Sequence, residues 1–131
     1  MGETAAAYTP GVCNINRMEI TKRRMTGHIG LIVFIVVLAL LLVFDVSRYY
    51  RLFLFLPAML AATGYLQARN HFCVGFAREG KQNAAEGSVN ASDVTDETAK
   101  ASDRRKARHM NLQSAGIALI ATGIFTLLPH F

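Results

Sequence analysis

Three long apolar segments alternate with polar stretches along the chain. The first segment carries no formal charge from Met25 to Phe44, and 20 helical residues span about 30 Å, the thickness of the hydrocarbon core of a bilayer. Apolar residues occupy every face of this segment, so it has no polar side to turn toward water. We therefore predict a transmembrane helix over about residues 26–45.

The second apolar segment runs from Leu52 to Ala68 and reads LFLFLPAMLAATGYLQA. Pro57 lies close enough to its start to kink the helix there. A linker of only seven residues, Asp45 to Arg51, separates it from the first segment, and so short a connection joins antiparallel neighbours. We predict a second span over 52–68 that completes a helical hairpin, with tyrosines near the membrane boundaries: Tyr49, Tyr50 and Tyr65.

The third segment extends from about Leu112 to Leu128 and is less apolar than the first. We predict a third span because no charged residue follows Arg108; a helix lying in the interface is the alternative. Small residues recur along it at every fourth position, a pattern that lets helices approach closely in lipid. We expect these positions to pack helices inside the chain, with a homodimer contact as the alternative: Ser114, Ala118 and Thr122, facing Ala58 and Ala62 on the second span.

Composition supports a membrane protein rather than a soluble enzyme, a disulfide-rich secreted domain or a disordered chain. Of 131 residues, 52% are hydrophobic and 18% charged, against about 25% charged in soluble domains. The predicted fold class is an all-α membrane protein, a transmembrane helical hairpin plus a third transmembrane helix. Its predicted parts are a basic N-terminal segment (1–24), the hairpin (25–68), a polar loop with a basic end (69–111) and the third helix with a short C-terminus (112–131).

The distribution of basic residues predicts the orientation in the membrane. Of the 14 lysines and arginines, four precede the first span and eight lie between the second and third spans, whereas only Arg48 and Arg51 lie in the hairpin turn. Because basic residues are enriched in cytoplasmic loops, we predict a cytoplasmic N-terminus and 69–111 loop and a C-terminus on the opposite side.

Basic residues next to the spans are expected to contact anionic lipid headgroups, each contributing about 1 kcal/mol near a charged surface. A topology signal without any ligand is the alternative. Nucleic acid is not a predicted partner, because no groove or platform to present the charges is evident. The residues predicted to contact anionic lipid are Arg23, Arg24, Arg104, Arg105, Lys106 and Arg108.

Two cysteines and a histidine could carry chemistry on the cytoplasmic side. Cys13, His71 and Cys73 are weak candidates for a zinc or copper site, because thiolate and imidazole are ligands of these metals but no closely spaced cysteine pair is present. A reactive thiol at Cys73 is another hypothesis, with Arg69, Arg78 and His71 as neighbours that favour a thiolate. Otherwise the two cysteines are buried small side chains. A disulfide is not expected in a reducing compartment.

No catalytic motif is found: the chain lacks a phosphate-binding glycine loop, a GxSxG and an HExxH. The three apolar segments, each taken between its flanking charges, contain no Asp, Glu, Lys or Arg of the kind that marks proton relays and ion paths. We therefore predict no enzyme activity and no cofactor.

The stretch LPAMLAATGYLQARNHFCVGFAREGKQN, together with the basic segment and hairpin before it, resembles the YgaP-type small transmembrane domain family over residues 14–83. The resemblance implies a bacterial inner-membrane protein with a two-helix hairpin. Some members carry a sulfurtransferase domain, which this chain lacks, so sulfur chemistry is not implied. Two departures are the third span and His71, which replaces the family's usual Gly. The matching positions are Leu56, Pro57, Gly64, Phe72, Cys73, Ala77 and Asn83.

The predicted function is that of a small multi-pass protein of a bacterial inner membrane with a structural or accessory role. Its predicted partners are the lipid bilayer and another membrane protein or a second copy of itself. Two alternatives stay open: a membrane-anchored thiol or metal-binding module centred on Cys73, and an oligomeric channel or exporter for a small solute.

Overall fold

The computed structural model describes residues 8–85 and 87–128 of the chain. Parts of the predicted N-terminal segment, polar loop and C-terminus (residues 1–7, 86 and 129–131) lie outside the described residues. The elements, in chain order, are α1 (Arg17–Val43), a 3₁₀ helix (Arg48–Leu54), α2 (Phe55–Asn70), α3 (Val74–Glu79), β1 (Lys81–Gln82), β2 (Ser92–Asp93) and α4 (Glu97–Leu127).

The protein is mostly helical, and three helical segments are long and apolar enough to cross a membrane. They are α1, the 3₁₀ helix joined to α2, and α4. The helices have two common ends. We call the end at which α1 begins, α2 ends and α4 begins the polar end, and the opposite end the distal end.

Helix α1 begins well before the apolar run of the first segment. The Asn16 side chain accepts a hydrogen bond from the Glu19 amide at 3.0 Å, which satisfies one of the free amides of the first turn. A charged first third of the helix therefore continues directly into the apolar remainder. The helix ends at Val43, and Asp45 then turns the chain with a positive φ of 52°.

The second segment begins as a 3₁₀ helix whose first turn is capped by the Ser47 hydroxyl. Helix α2 then starts at Phe55, so Pro57 lies in its first turn. A proline is tolerated there because the amide it lacks would have no partner inside the helix. Pro57 therefore lies where the α-helix begins, and the kink expected from the sequence is replaced by the change from 3₁₀ to α geometry.

Helices α1 and α2 form the most extensive contact in the molecule, and glycines allow their backbones to touch. A Cβ atom at Gly30 would lie 2.8 Å from Ala61 Cα, and one at Gly64 would lie 2.7 Å from Gly27 Cα. Both distances are too short for a side chain, so only glycine fits at this crossing.

Helix α4 packs against α2 and against the 3₁₀ helix. Near the distal end, Phe34 of α1, Leu54, Ala58 and Ala118 form a buried apolar cluster. The five small residues predicted to pack helices all lie inside the bundle, where each is at most 7% exposed. The chain itself therefore occupies this surface, and a second copy has no access to it: Ala58, Ala62, Ser114, Ala118 and Thr122.

The region predicted to be a polar loop contains folded structure at the polar end. Helix α3 and the first half of α4 enclose a second core of Phe72, Val74, Ala77, Ala107 and Met110. Strands β1 and β2 pair antiparallel beside it. Ser92 and Asp93 form β2, and α4 begins at Glu97, where the Asp96 carboxylate accepts from the Thr98 amide.

Candidate functional site

A buried asparagine ties the segment before α1 to the turn after α2. The Asn14 side chain accepts a hydrogen bond from the Cys73 amide at 2.6 Å and donates to the Cys73 carbonyl at 3.1 Å. The Asn14 amide also donates to the His71 carbonyl at 3.1 Å. Since Asn14 is fully buried, losing these bonds would leave polar groups unsatisfied in the interior.

A second buried set extends from Asn83, which follows β1. Its side chain donates to the Glu19 carboxylate at 3.0 Å, and its backbone bonds with Asn14 and Asn16 on the neighbouring segment. Asn16 in turn donates to the carbonyls of Ala85 and Ser88. Residues 14–16 are therefore held between the two ends of the 71–88 segment, which gives the polar end a fixed shape.

The Cys73 thiol lies beside the Arg23 guanidinium. Arg23 Nη2 donates to Cys73 Sγ at 3.1 Å, Nη1 is 3.2 Å from the Glu19 carboxylate, and the group lies 5.6 Å from the centre of the Phe76 ring. Cys73 is only 6% exposed. The sequence had suggested Arg69, Arg78 and His71 as neighbours of this thiol, whereas the contact comes from α1, about 50 residues earlier in the chain.

Cys13 and His71 line one cavity of about 370 Å³, together with Arg24. The Cys13 thiol donates weakly to the Ile15 carbonyl, and burial raises its pKa, which disfavours the thiolate that binds metals. Cys13 and Cys73 are both free thiols. Among the described residues, no group of three or more His, Cys, Asp or Glu side chains could hold a metal ion.

His71 also has a backbone role that the sequence did not reveal. It ends α2 in the left-handed conformation, with a φ of 54°, and the Phe72 amide then donates to the Gln67 carbonyl at 3.0 Å. This conformation favours glycine, the residue most common after helix ends.

A cavity of about 810 Å³ lies between α2, α3 and α4, and we call it the arginine cavity. Three guanidinium groups line it, and none of them makes a hydrogen bond or an ion pair with any described residue. Two belong to the predicted lipid-contact set, Arg104 and Arg108; Arg78 is an addition that sequence reasoning missed. The remaining lining residues are Met59, Ala107, Asn111, Leu112 and Ala115.

The other residues predicted to contact lipid are distributed differently. Arg24, Arg105 and Lys106 lie at the polar end outside the arginine cavity, with Arg24 and Arg105 exposed. Arg23 is engaged with Glu19 and Cys73. The structure thus separates the predicted set into two cavity arginines, three cations elsewhere at the polar end and one partly buried partner of the thiol.

Two further polar contacts connect parts of the chain that are distant in sequence. At the distal end, the buried Arg51 donates to the carbonyls of Phe125 and Leu128, at 2.9 and 2.8 Å, and so caps the end of α4. At the polar end, the buried Asp103 carboxylate accepts from the Tyr8 hydroxyl and the Gly11 amide, both at 2.7 Å. Burial and the hydrogen bond from the Tyr8 hydroxyl to Asp103 raise the pKa of Tyr8.

Comparisons with known proteins find no matching family model, no matching curated protein and no matching solved structure. The YgaP-type resemblance of residues 14–83 stays a prediction from the sequence. Inferences about function therefore come from the residues of the chain and their geometry.

Proposed function

We propose that the chain is a three-pass integral protein of a bacterial inner membrane with a structural or accessory role and no enzyme activity. The observation that carries the proposal is the apolar surface of the helices. Only 17% of the most apolar stretch of α1 and 22% of that of α4 is buried. Large apolar side chains such as Ile32, Val43 and Leu127, between 60% and 76% exposed, would face water in a soluble monomer.

Lipid provides an environment for that surface. The helices satisfy their own backbone hydrogen bonds, as a spanning segment must. The buried Arg51, near the distal end, directs its guanidinium to carbonyls at the end of α4, which fits a position at the boundary of the bilayer. Basic residues concentrate at the polar end, which supports a cytoplasmic polar end.

An accessory role fits the distribution of polar groups. The polar groups of the bundle serve mainly to fix one part of the chain against another, as Asn14 and Arg51 do. The outward faces of α1 and α4 are the surfaces left for a partner, because the small-residue stripe of α4 is buried. The contact with another membrane protein or a second copy is therefore expected on large aliphatic side chains such as Ile32, Val36 and Ile120.

Two measurements test this proposal. The protein should remain in the membrane pellet after extraction at alkaline pH, and release into the supernatant would contradict membrane insertion. Purified in mild detergent, it should have the mass of a complex. Substitution of the outward-facing Ile32 and Val36 by Ala should weaken that complex, whereas a single chain with unchanged mass in both forms would contradict the accessory role.

A second candidate function, thiol chemistry at Cys73, is favoured by one contact, that of Arg23 Nη2 with Cys73 Sγ at 3.1 Å. The charge-assisted hydrogen bond from the guanidinium holds the sulfur atom in a fixed position for reaction. Under this alternative, Arg23→Gln should slow alkylation of Cys73 at neutral pH, and a metal bound in stoichiometric amount should be lost in Cys73→Ser. Unchanged alkylation in Arg23→Gln and absence of bound metal would leave the accessory role as the explanation.

A further inference from the structure

The three guanidinium groups of the arginine cavity have no counter-charge among the residues that the structure describes. No described acidic residue lines the cavity. The acidic residues nearest in sequence to its arginines along α4 have other partners: Asp103 binds Tyr8 and Gly11, and Glu97 pairs with Lys100 at 3.0 Å. Three cations that line one cavity without a described acid partner create a positive potential that favours an anion.

The cavity is charged on one side and apolar on the other. Arg104, Arg108 and Ala115 lie on one face of α4, because successive steps of four and seven residues return to the same side of a helix. The face thus changes from guanidinium to small apolar groups over about 16 Å, at 1.5 Å per residue. Met59 of α2 extends the apolar side.

This order of groups matches an anionic phospholipid better than a soluble anion. Guanidinium groups bind phosphate through paired hydrogen bonds. Free phosphate would use only the charged side of the cavity, whereas a lipid would place its phosphate at the arginines and the beginning of an acyl chain against Met59 and Leu112. The volume of about 810 Å³ lies within the range of about 300–1,000 Å³ typical of small-molecule sites.

We propose that the arginine cavity is a specific site for one anionic phospholipid, with Arg78, Arg104 and Arg108 binding its phosphate and Met59, Leu112 and Ala115 contacting its acyl chain. The inference rests on the proposed function, because it requires the polar end of α4 to lie at the membrane boundary. A specific site differs from general attraction to a charged surface, because general attraction would not distinguish the cavity arginines from the neighbouring Arg105 and Lys106.

Two double variants with equal loss of charge test the site in the full-length protein. Arg104→Gln with Arg108→Gln removes cavity cations, and Arg105→Gln with Lys106→Gln removes two neighbouring cations outside the cavity. Native mass spectrometry from mixed micelles measures binding of phosphatidylglycerol against phosphatidylcholine. The wild-type chain should retain one phosphatidylglycerol.

The cavity double variant should lower phosphatidylglycerol affinity at least tenfold, since it removes the charge-assisted hydrogen bonds from two guanidinium groups to the phosphate. The control double variant should change it by less than about threefold, because neither Arg105 nor Lys106 lines the cavity. Equal losses in the two variants, or equal retention of phosphatidylcholine, would overturn the site.

A third variant tests the apolar side without changing any charge. Ala115→Phe should fill the space for the acyl chain and lower phosphatidylglycerol retention, while binding of inorganic phosphate stays unchanged. If inorganic phosphate competes fully with the lipid and Ala115→Phe has no effect, the occupant is a free anion and the lipid proposal is wrong. Each variant is first checked for wild-type helix content and thermal stability. Retention in the membrane after alkaline extraction is measured separately, so a failure of the lipid site is distinguishable from a failure of membrane insertion.

Discussion

The crossing of α1 and α2 at Gly64 provides a prediction whose size follows from the structure. A Cβ at Gly64 would collide with the Gly27 amide nitrogen and would lie 2.7 Å from Gly27 Cα and 2.8 Å from the Arg23 carbonyl oxygen, whereas ordinary van der Waals contact begins at 3.4 Å. All three obstacles are backbone atoms of α1, which no rotamer change can move. In Gly64→Ala, the helices must therefore separate by more than about 0.7 Å at the crossing, as in an overpacked core.

Overpacking of this kind costs about 1–3 kcal/mol, and the better helix propensity of alanine returns up to about 1 kcal/mol. We expect Gly64→Ala to lower the free energy of unfolding by about 1–2 kcal/mol. The loss should come with weaker packing of side chains around the crossing, because the contact between α1 and α2 is the most extensive in the molecule.

The assay is unfolding in mixed micelles by titration with a denaturing detergent, followed by far-ultraviolet circular dichroism. Gly123→Ala is the matched control: it makes the same change in α4, where a Cβ would have nothing within 4 Å, so its stability should equal or exceed that of the wild type. Equal stability of Gly64→Ala and Gly123→Ala would refute the backbone contact.

Three further predictions concern polar and backbone positions. Arg51→Gln should lower the free energy of unfolding by about 2–3 kcal/mol, because the guanidinium caps α4 through charge-assisted bonds; the exposed Arg48→Gln is the control, and equal effects would contradict the cap. Tyr8→Phe should lower the free energy of unfolding at neutral pH. The difference in this free energy between variant and wild type should shrink above about pH 10, because the hydrogen bond of Tyr8 stabilises the fold only while the phenol is protonated, as its raised pKa indicates. A difference that stays constant to pH 11 in chemical unfolding would exclude this dependence on the ionisation of Tyr8. His71→Gly should increase stability by up to about 1 kcal/mol by relieving the left-handed backbone, and a clear decrease in unfolding temperature would show that the imidazole contributes more than the strain.

The long apolar helices could be predicted from the sequence because the signal is local. A run of uncharged residues such as 25–44 sets the length of a segment, and α1 covers most of this run. The helix boundaries differ where polar residues are involved. Helix α1 begins at Arg17, since Asn16 caps it, and the first half of α4 is polar, because its apolar positions Ala107 and Met110 pack on α3 rather than on lipid.

The structure of the polar end could not be predicted because its contacts join distant residues. Asn14 binds Cys73, and Asp103 binds Tyr8, across 59 and 95 positions of the chain. Asparagines in irregular segments have no periodicity that would indicate burial. The same reason explains why Arg23 was not predicted as the partner of Cys73.

The sequence predicted which kinds of residue form the candidate sites, but not which of these residues lie together in the fold. Counting basic residues identified the cluster Arg104–His109 but could not say which of its members face α3. The fold selects Arg104 and Arg108 and adds Arg78 from another helix. Arg51 was counted only as a loop charge, because its burial depends on the end of α4 lying nearby; an arginine directly before an apolar run is the only sequence signal for such a role.

The most direct test of the central claim, a three-pass membrane bundle, is cysteine accessibility in intact cells. With Cys13 and Cys73 replaced by Ser, single cysteines are introduced at Tyr49 and Leu127, each 76% exposed at the distal end, and at Glu97, exposed at the polar end. A membrane-impermeant maleimide should label Tyr49→Cys and Leu127→Cys in intact cells and Glu97→Cys only after permeabilisation. Labelling of Glu97→Cys from the same side as either distal position would contradict the three-pass arrangement.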